Sequence, residues 1–186
     1  VAGKLHPSFL LNTAKTYRSS SANPNFQNIP KRDKEVSYIL RKGIRPSPGN
    51  VLLEVDYSGI EVRVGACYHR DKNMLRYISE PDSDMHRDQA AKIFALPKDQ
   101  VTKELRHIGK NGFVFPEFYG SWYGQIAPVI WKDLRGLVTA DGKPIVSHLK
   151  DQGIRSLPAF EDHIKGVERE LWDKTFPGYR DWKEKT

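Results

Sequence analysis

Residues 50–66 read NVLLEVDYSGIEVRVGA. Val51, Leu52, Leu53 and Val55 are too uniformly apolar for a half-exposed strand, so the pattern predicts a strand central in its sheet. Asp56 stands where that strand would end, and a Ser-Gly turn leads into a second apolar stretch from Ile60. An acid in this position has two ordinary uses: capping the following helix, or presenting a functional carboxylate. A buried strand passing directly into a helix confines the chain to folds that mix sheet and helix.

The flanking segments extend that expectation. Residues 1–35 are rich in Ser, Asn and Pro and show no periodicity, which predicts loop with short elements at most. EVSYILRKGIRPSPGN reads as a strand and a Pro/Gly turn. After residue 60 helices dominate. Asp71 is placed to cap a helix through Ile78, and Asp84 to cap MHRDQAAKIFAL. A helix opens at Pro97 and runs at least to Lys110. SWYGQIAPVIWKDL is a further helix, interrupted at Pro128. The glycines and prolines of 135–158 predict an insertion of hairpin or loop character. Phe160, Ile164, Val167, Leu171 and Trp172 mark one amphipathic helix, and FPGYRDW begins another.

Charge narrows the partners. The net charge of +7 favours a polyanion over an acidic partner. No apolar stretch approaches membrane-spanning length, so no membrane partner is expected. The lone Cys67 fits a reducing compartment and reads as a small buried helix residue. The chain opens Val-Ala-Gly and closes on helix-like YRDWKEKT without a stop signal, as a piece of a larger polypeptide would.

ELRHIGKNGFVFPEFYGSWYG contains the sharpest chemistry. Arg106 and Lys110, four apart, project from one helical face, while Glu104 lies on another. Two cations without an acid on their stripe point to an anion held between them, for which a triphosphate is suitable. A solvated basic face accounts equally for the spacing alone. Phe113, Phe115, Phe118, Tyr119, Trp122 and Tyr123 follow, either as core or as a platform for a nucleobase.

Taken in order, these segments resemble the polymerase domain of family A DNA polymerases, the bacterial DNA polymerase I type with its phage members. TYRSSSANPNFQNIPKR resembles the family's TGR-x-SSS-x-PN-x-QNIP-x-R segment, and DYSGIEVR its DYSQIELR motif. DMHRDQA resembles D-I-H-x-x-x-A. Arg106, Lys110, Phe115, Tyr119 and Gly120, spaced here as R-x3-K-x4-F-x3-YG, resemble the family's fingers helix, and FPGYRDWKEKT the later FP-x-V-R-x-W.

The resemblance implies an α+β fold, a partial antiparallel palm sheet carrying a mostly helical fingers domain. Residues 1–70 would form the partial palm. Residues 71–186 would form the fingers, with the insertion near 135–158 and a final return toward the palm. The implied activity is template-directed DNA synthesis in replication: a deoxynucleoside triphosphate (dNTP) is added to a primer 3′ end in the cytoplasm of a bacterial or phage-infected cell. Asp56 and the Tyr57 carbonyl would serve a two-Mg²⁺ site. Its second carboxylate belongs to a His-Asp-Glu hairpin, a tripeptide absent from these 186 residues. The chain alone is therefore expected to be inactive, its partners being primer-template DNA, dNTP and the rest of the parent polypeptide, thumb included. Arg106, Lys110 and His86 would grip the triphosphate, and Lys110 would also protonate the leaving pyrophosphate. Glu61 and Phe115 would exclude ribonucleotides, and Tyr119 would stack where the templating pair forms. Arg18, Asn25, Gln27, Asn28 and Arg32 would touch the duplex. A basic module that binds nucleic acid or nucleotide without catalysis is the competing expectation.

Three departures stand out. Gly59 replaces the usual Gln, and Tyr17 stands where Gly is usual. Phe115 lies five residues after Lys110 rather than four, which in an unbroken α-helix rotates everything beyond it by about 100°. A π-bulge or a break near Gly109–Gly112 is the expected repair.

Overall fold

A computed structural model describes residues 3–30, 33–57 and 59–185. The fold is α+β and mostly helical, in two compact units, Val1–Tyr57 and Ser58–Thr186.

In the first unit β1 (Ser8–Leu10) pairs antiparallel with β2 (Ser20–Ala22), Phe9 opposite Ser21. Buried Ser21 organises the following turn: its Oγ donates to Asn25 Oδ1 at 2.9 Å and accepts from Gln27 N at 3.0 Å. The stretch expected as a strand after residue 35 is instead helix α1 (Lys34–Lys42). Asp33 caps it by accepting from Val36 N at 3.0 Å, and Glu35 and Arg41 sit at the ends that the helix dipole favours. Val36, Ile39 and Leu40 already carry the three-to-four spacing of a helix. The central strand expected over residues 51–55 is also corrected. Among the described residues nothing pairs with it, and Val51 is 87% exposed. A strand exists only through its neighbour's hydrogen bonds, and an apolar run supplies none of them.

The second unit begins with α2 (Ile60–His69) and α3 (Lys72–Ser79). Asp71 ties this start to the far end of the chain. Its Oδ1 accepts from Met74 N at 2.9 Å, capping α3. Its Oδ2 accepts from Gly178 N at 2.6 Å and Tyr179 N at 3.2 Å, in the first turn of α10 (Pro177–Lys185). Cys67, expected to be buried, is exposed on α2. α4 (Met85–Ile93) is capped by Asp84 as expected. Pro97, however, opens only a 3-10 turn, and α5 (Lys103–Ile108) starts from its own cap, Thr102 Oγ1 accepting from Leu105 N.

A π-helical segment over Gly109–Val114 then leads into the short α6 (Phe115–Phe118). α7 (Tyr123–Asp133) passes Pro128 without a break, its buried Ile126, Ala127 and Ile130 turned to the core. The insertion combines an isolated bridge, Val138 with Pro144, and a helix, α8 (Ile145–Asp151), whose Ile145 and Leu149 join the core. The last amphipathic stretch divides into α9 (Leu157–Arg169) and a second π segment, Glu170–Thr175. The core of this unit gathers Phe94, Leu105, Phe113, Leu134, Phe160 and Ile164, all buried.

Candidate functional site

The face built by α4, α5, the first π segment and α6 brings five of the expected residues together. Arg106 is held by a partner that helical spacing alone misses. Its Nε donates to Asp84 Oδ2 at 2.7 Å, across from the start of α4. The premise of two unpartnered cations is thus corrected: the acid comes from a neighbouring helix, where an i,i+4 search does not look. Burial by itself would raise the Asp84 carboxyl, but the hydrogen bonds from Arg106 and the Arg87 amide outweigh it and hold the group below its ordinary value.

Phe115 N donates to Lys110 O, the i to i−5 bond that absorbs the extra residue. Phe115 is thereby returned to the side of Lys110, whose Nζ lies 5.2 Å from the ring centroid, in cation–π range. Pro116 has no N–H to continue the ladder and closes the π turn. The Phe115 ring also meets His86 edge-on at 5.7 Å and Tyr119 at 6.5 Å. Tyr119 is 74% exposed.

His86 is tuned toward the neutral form. Burial lowers its pKa below the ordinary imidazole value, the Arg106 and Lys110 cations lower it further, and Asp84 opposes them. Its Nδ1 is buried without a hydrogen-bond partner. Near neutral pH the ring offers a hydrogen-bonding atom rather than a third positive charge.

Gly109 makes this packing possible. A Cβ there would lie 2.8 Å from both Ala90 Cβ and His86 O, inside contact distance. The glycine lets the backbone carrying Lys110 approach the helix carrying His86.

The remaining expected residues lie elsewhere. Glu61 occupies the first turn of α2, a helix packed on α3 and α10. Asp56 and Tyr57 close the first unit and are both exposed. Asn25 accepts from Ser21, while Gln27 Nε2 donates to Ser19 Oγ at 2.8 Å, so local turns engage both side chains. Asn28 and Arg18 are exposed, and Tyr17 holds a left-handed φ of 58° in the glycine-like position. Arg32 lies outside the described residues. Among the described residues no three His, Cys, Asp or Glu side chains gather to hold a metal ion, and no helix is long and apolar enough to cross a membrane.

Sequence reasoning passed over Glu117. It is 2% exposed, and its Oε2 accepts from Trp172 Nε1 at 2.8 Å. Burial pushes its carboxyl up to about 7, with the Trp172 hydrogen bond opposing. It borders a 930 Å³ cleft walled by Trp122, Tyr123 and Tyr179. An acid inside the aromatic run FVFPEFYG was the available signal.

The model of a family described as DNA polymerase family A matches residues 1–137. DNA polymerase I of Borreliella burgdorferi is 36% identical over 108 residues, 58% of this chain and 12% of that protein. The thermostable DNA polymerase I of Thermus thermophilus is 29% identical over 184 residues, 99% of this chain and 18% of that protein. Among solved structures, the POL domain of Pol1 from M. smegmatis, in complex with DNA primer-template and dNTP, superposes with a TM-score of 0.64 at 27% identity. That match covers 98% of this chain and 27% of the other. The chain thus spans less than a fifth of the length of these curated relatives.

Proposed function

The chain belongs to DNA polymerase family A, and from that premise we propose that it supplies the nucleotide-selecting part of a template-directed DNA polymerase. One observation carries the reading: the π segment puts Phe115 on the same side as Lys110 and against His86, despite the extra residue between the first two. The offset gathers a cation, a neutral imidazole and an aromatic ring on one face, the groups that a single nucleotide would need.

In this reading Arg106 and Lys110 hold the triphosphate, Arg106 steadied by Asp84. Neutral His86 adds a hydrogen bond. The primer 3′-hydroxyl oxygen forms a bond to the α-phosphorus as its proton passes to water and the bond to pyrophosphate breaks, and Lys110 donates a proton to that leaving group. Phe115 and Glu61 crowd the ribose 2′ position. Tyr119, exposed beside Phe115, stacks where the templating pair forms. Arg18, Asn25, Gln27, Asn28 and Arg32 contact the primer-template without reading its sequence.

The Asp56 carboxylate and the Tyr57 carbonyl are oxygen donors of the kind Mg²⁺ takes. They are half of what a two-metal site requires. For the 186-residue chain by itself this favours binding without catalysis. Primer extension by the purified chain, lost on Asp56→Ala, would overturn that part.

The test of the site is nucleoside triphosphate binding by the chain in the presence of Mg²⁺. Lys110→Ala is expected to weaken it about tenfold while sparing duplex binding, the loss of one charge-assisted contact. Binding that ignores Lys110 and simply falls with salt for any DNA would leave only generic polyanion affinity.

A further inference from the structure

Building on the reading that the Phe115–Tyr119 face meets a nucleotide, we infer that the buried Glu117–Trp172 hydrogen bond is the positioning device that sets the angle of that face. α6 has only four residues, follows a π segment and contains Pro116, so its own backbone bonds fix its orientation weakly. Its other side is where orientation is determined. Glu117 Oε2 accepts from Trp172 Nε1 at 2.8 Å, across 55 residues of chain. Phe118 meets the Trp172 ring edge-on at 5.4 Å, and Trp172 stacks on Tyr179 at 4.7 Å.

Trp172 belongs to the second π segment and Glu117 to the short helix that follows the first, so this bond ties α6 to the other place where the helical ladder is offset by one residue. Volume alone does not call for an acid here, since a methionine would fill the same space without desolvating a carboxyl group. The carboxyl group adds direction, and it does so through one oxygen: Oε1 is buried without a partner. Rotation of α6 about this single bond would carry Phe115 away from His86 and Lys110. Glu117 and Trp172 are positioning residues that act through Phe115.

The experiment uses the whole chain and three variants. Glu117→Gln keeps an acceptor for the indole, Glu117→Met removes the bond at nearly the same volume, and Trp172→Phe removes it together with part of the indole ring. The primary readout is the nuclear Overhauser effect between the Phe115 and His86 rings, 5.7 Å apart, measured without nucleotide. It is expected to persist in Glu117→Gln and to fall at least threefold in the other two. Triphosphate affinity should follow, unchanged within twofold in the first and about tenfold weaker in the others, in keeping with the cost of small misplacements in a binding geometry. The double variant should be no worse than either single.

A merely structural role lowers the melting temperature but leaves the ring contact intact, and that result overturns the inference. Failure of the near-isosteric Glu117→Met to fold overturns it equally, because a bond that supplies direction leaves the global fold standing. If the unmodified chain binds no nucleotide, the proposed function fails while the ring contact still decides the positioning role.

Discussion

Asp84 and Arg106, 22 residues apart, share one carboxylate between two tasks: Oδ1 accepts from His86 N and Arg87 N to cap α4, and Oδ2 holds Arg106 Nε at 2.7 Å. The cap is worth about 1 kcal/mol, and the partly exposed ion pair at most about as much again. Asp84→Ala should therefore cost roughly 1–2 kcal/mol in urea denaturation. Asp84→Asn, which still caps, should cost less than half of that. Equal losses would mean that the ion pair, not the cap, carries the stability.

The raised pKa of Glu117 makes stability depend on pH. Folded, its carboxyl titrates near 7, while the ordinary value is 4.5. Between those values the unfolded chain releases the proton and the folded chain keeps it, so stability falls as pH rises through this window. Above it the penalty is complete. Glu168 is shifted upward as well, mainly by burial, so the informative quantity is the difference between variant and parent. Glu117→Gln should match the parent at pH 4.5 and exceed it by roughly 3 kcal/mol at pH 8. A difference that does not change with pH would place the burden elsewhere.

Asp71 caps α3 with one oxygen and accepts from two amides of α10 with the other, while itself buried. Removing it strands two backbone donors, Met74 N and Gly178 N, each costing about 1–3 kcal/mol when unsatisfied, and leaves Tyr179 N only its bond to Phe176 O. Asp71→Ala is expected to lose roughly 3 kcal/mol and to expose the carboxy-terminal helix to early hydrogen exchange. If α10 amides exchange no faster in the variant, the cross-chain tie is not holding the helix.

What could be read from the amino acids follows the range of each interaction. Asp71 and Asp84 were legible as caps because the bond closes within three residues. The Phe160, Ile164, Val167 stripe was legible because one helix buries one face. The first π segment showed as a residue too many between Lys110 and Phe115. The second left a fainter trace, Leu171 and Phe176 five apart and both buried, joined by Phe176 N to Leu171 O. Pairs brought together by packing were invisible, Asp84 with Arg106 and Glu117 with Trp172 among them. The Val51–Val55 run misled for the same reason: hydrophobicity marks what is suited to a sheet, and pairing requires a neighbour.

Gly109 separates helix propensity from packing most cleanly. In a free helix Gly109→Ala would be favourable by about 1 kcal/mol. Here the new methyl group would meet Ala90 Cβ and His86 O at 2.8 Å, and the second contact is backbone that cannot rotate aside. Overpacking of this kind costs about 1–3 kcal/mol, so the net sign should be destabilising. The separation forced on the two backbones should also pull Lys110 away from His86 and weaken triphosphate binding. Ala90→Gly in the same chain removes the side-chain clash but not the carbonyl one, and should restore only part of the loss. Denaturation and nucleotide titration of the two variants together decide it: a Gly109→Ala chain more stable than the parent would show that the α4 approach is looser than these distances require.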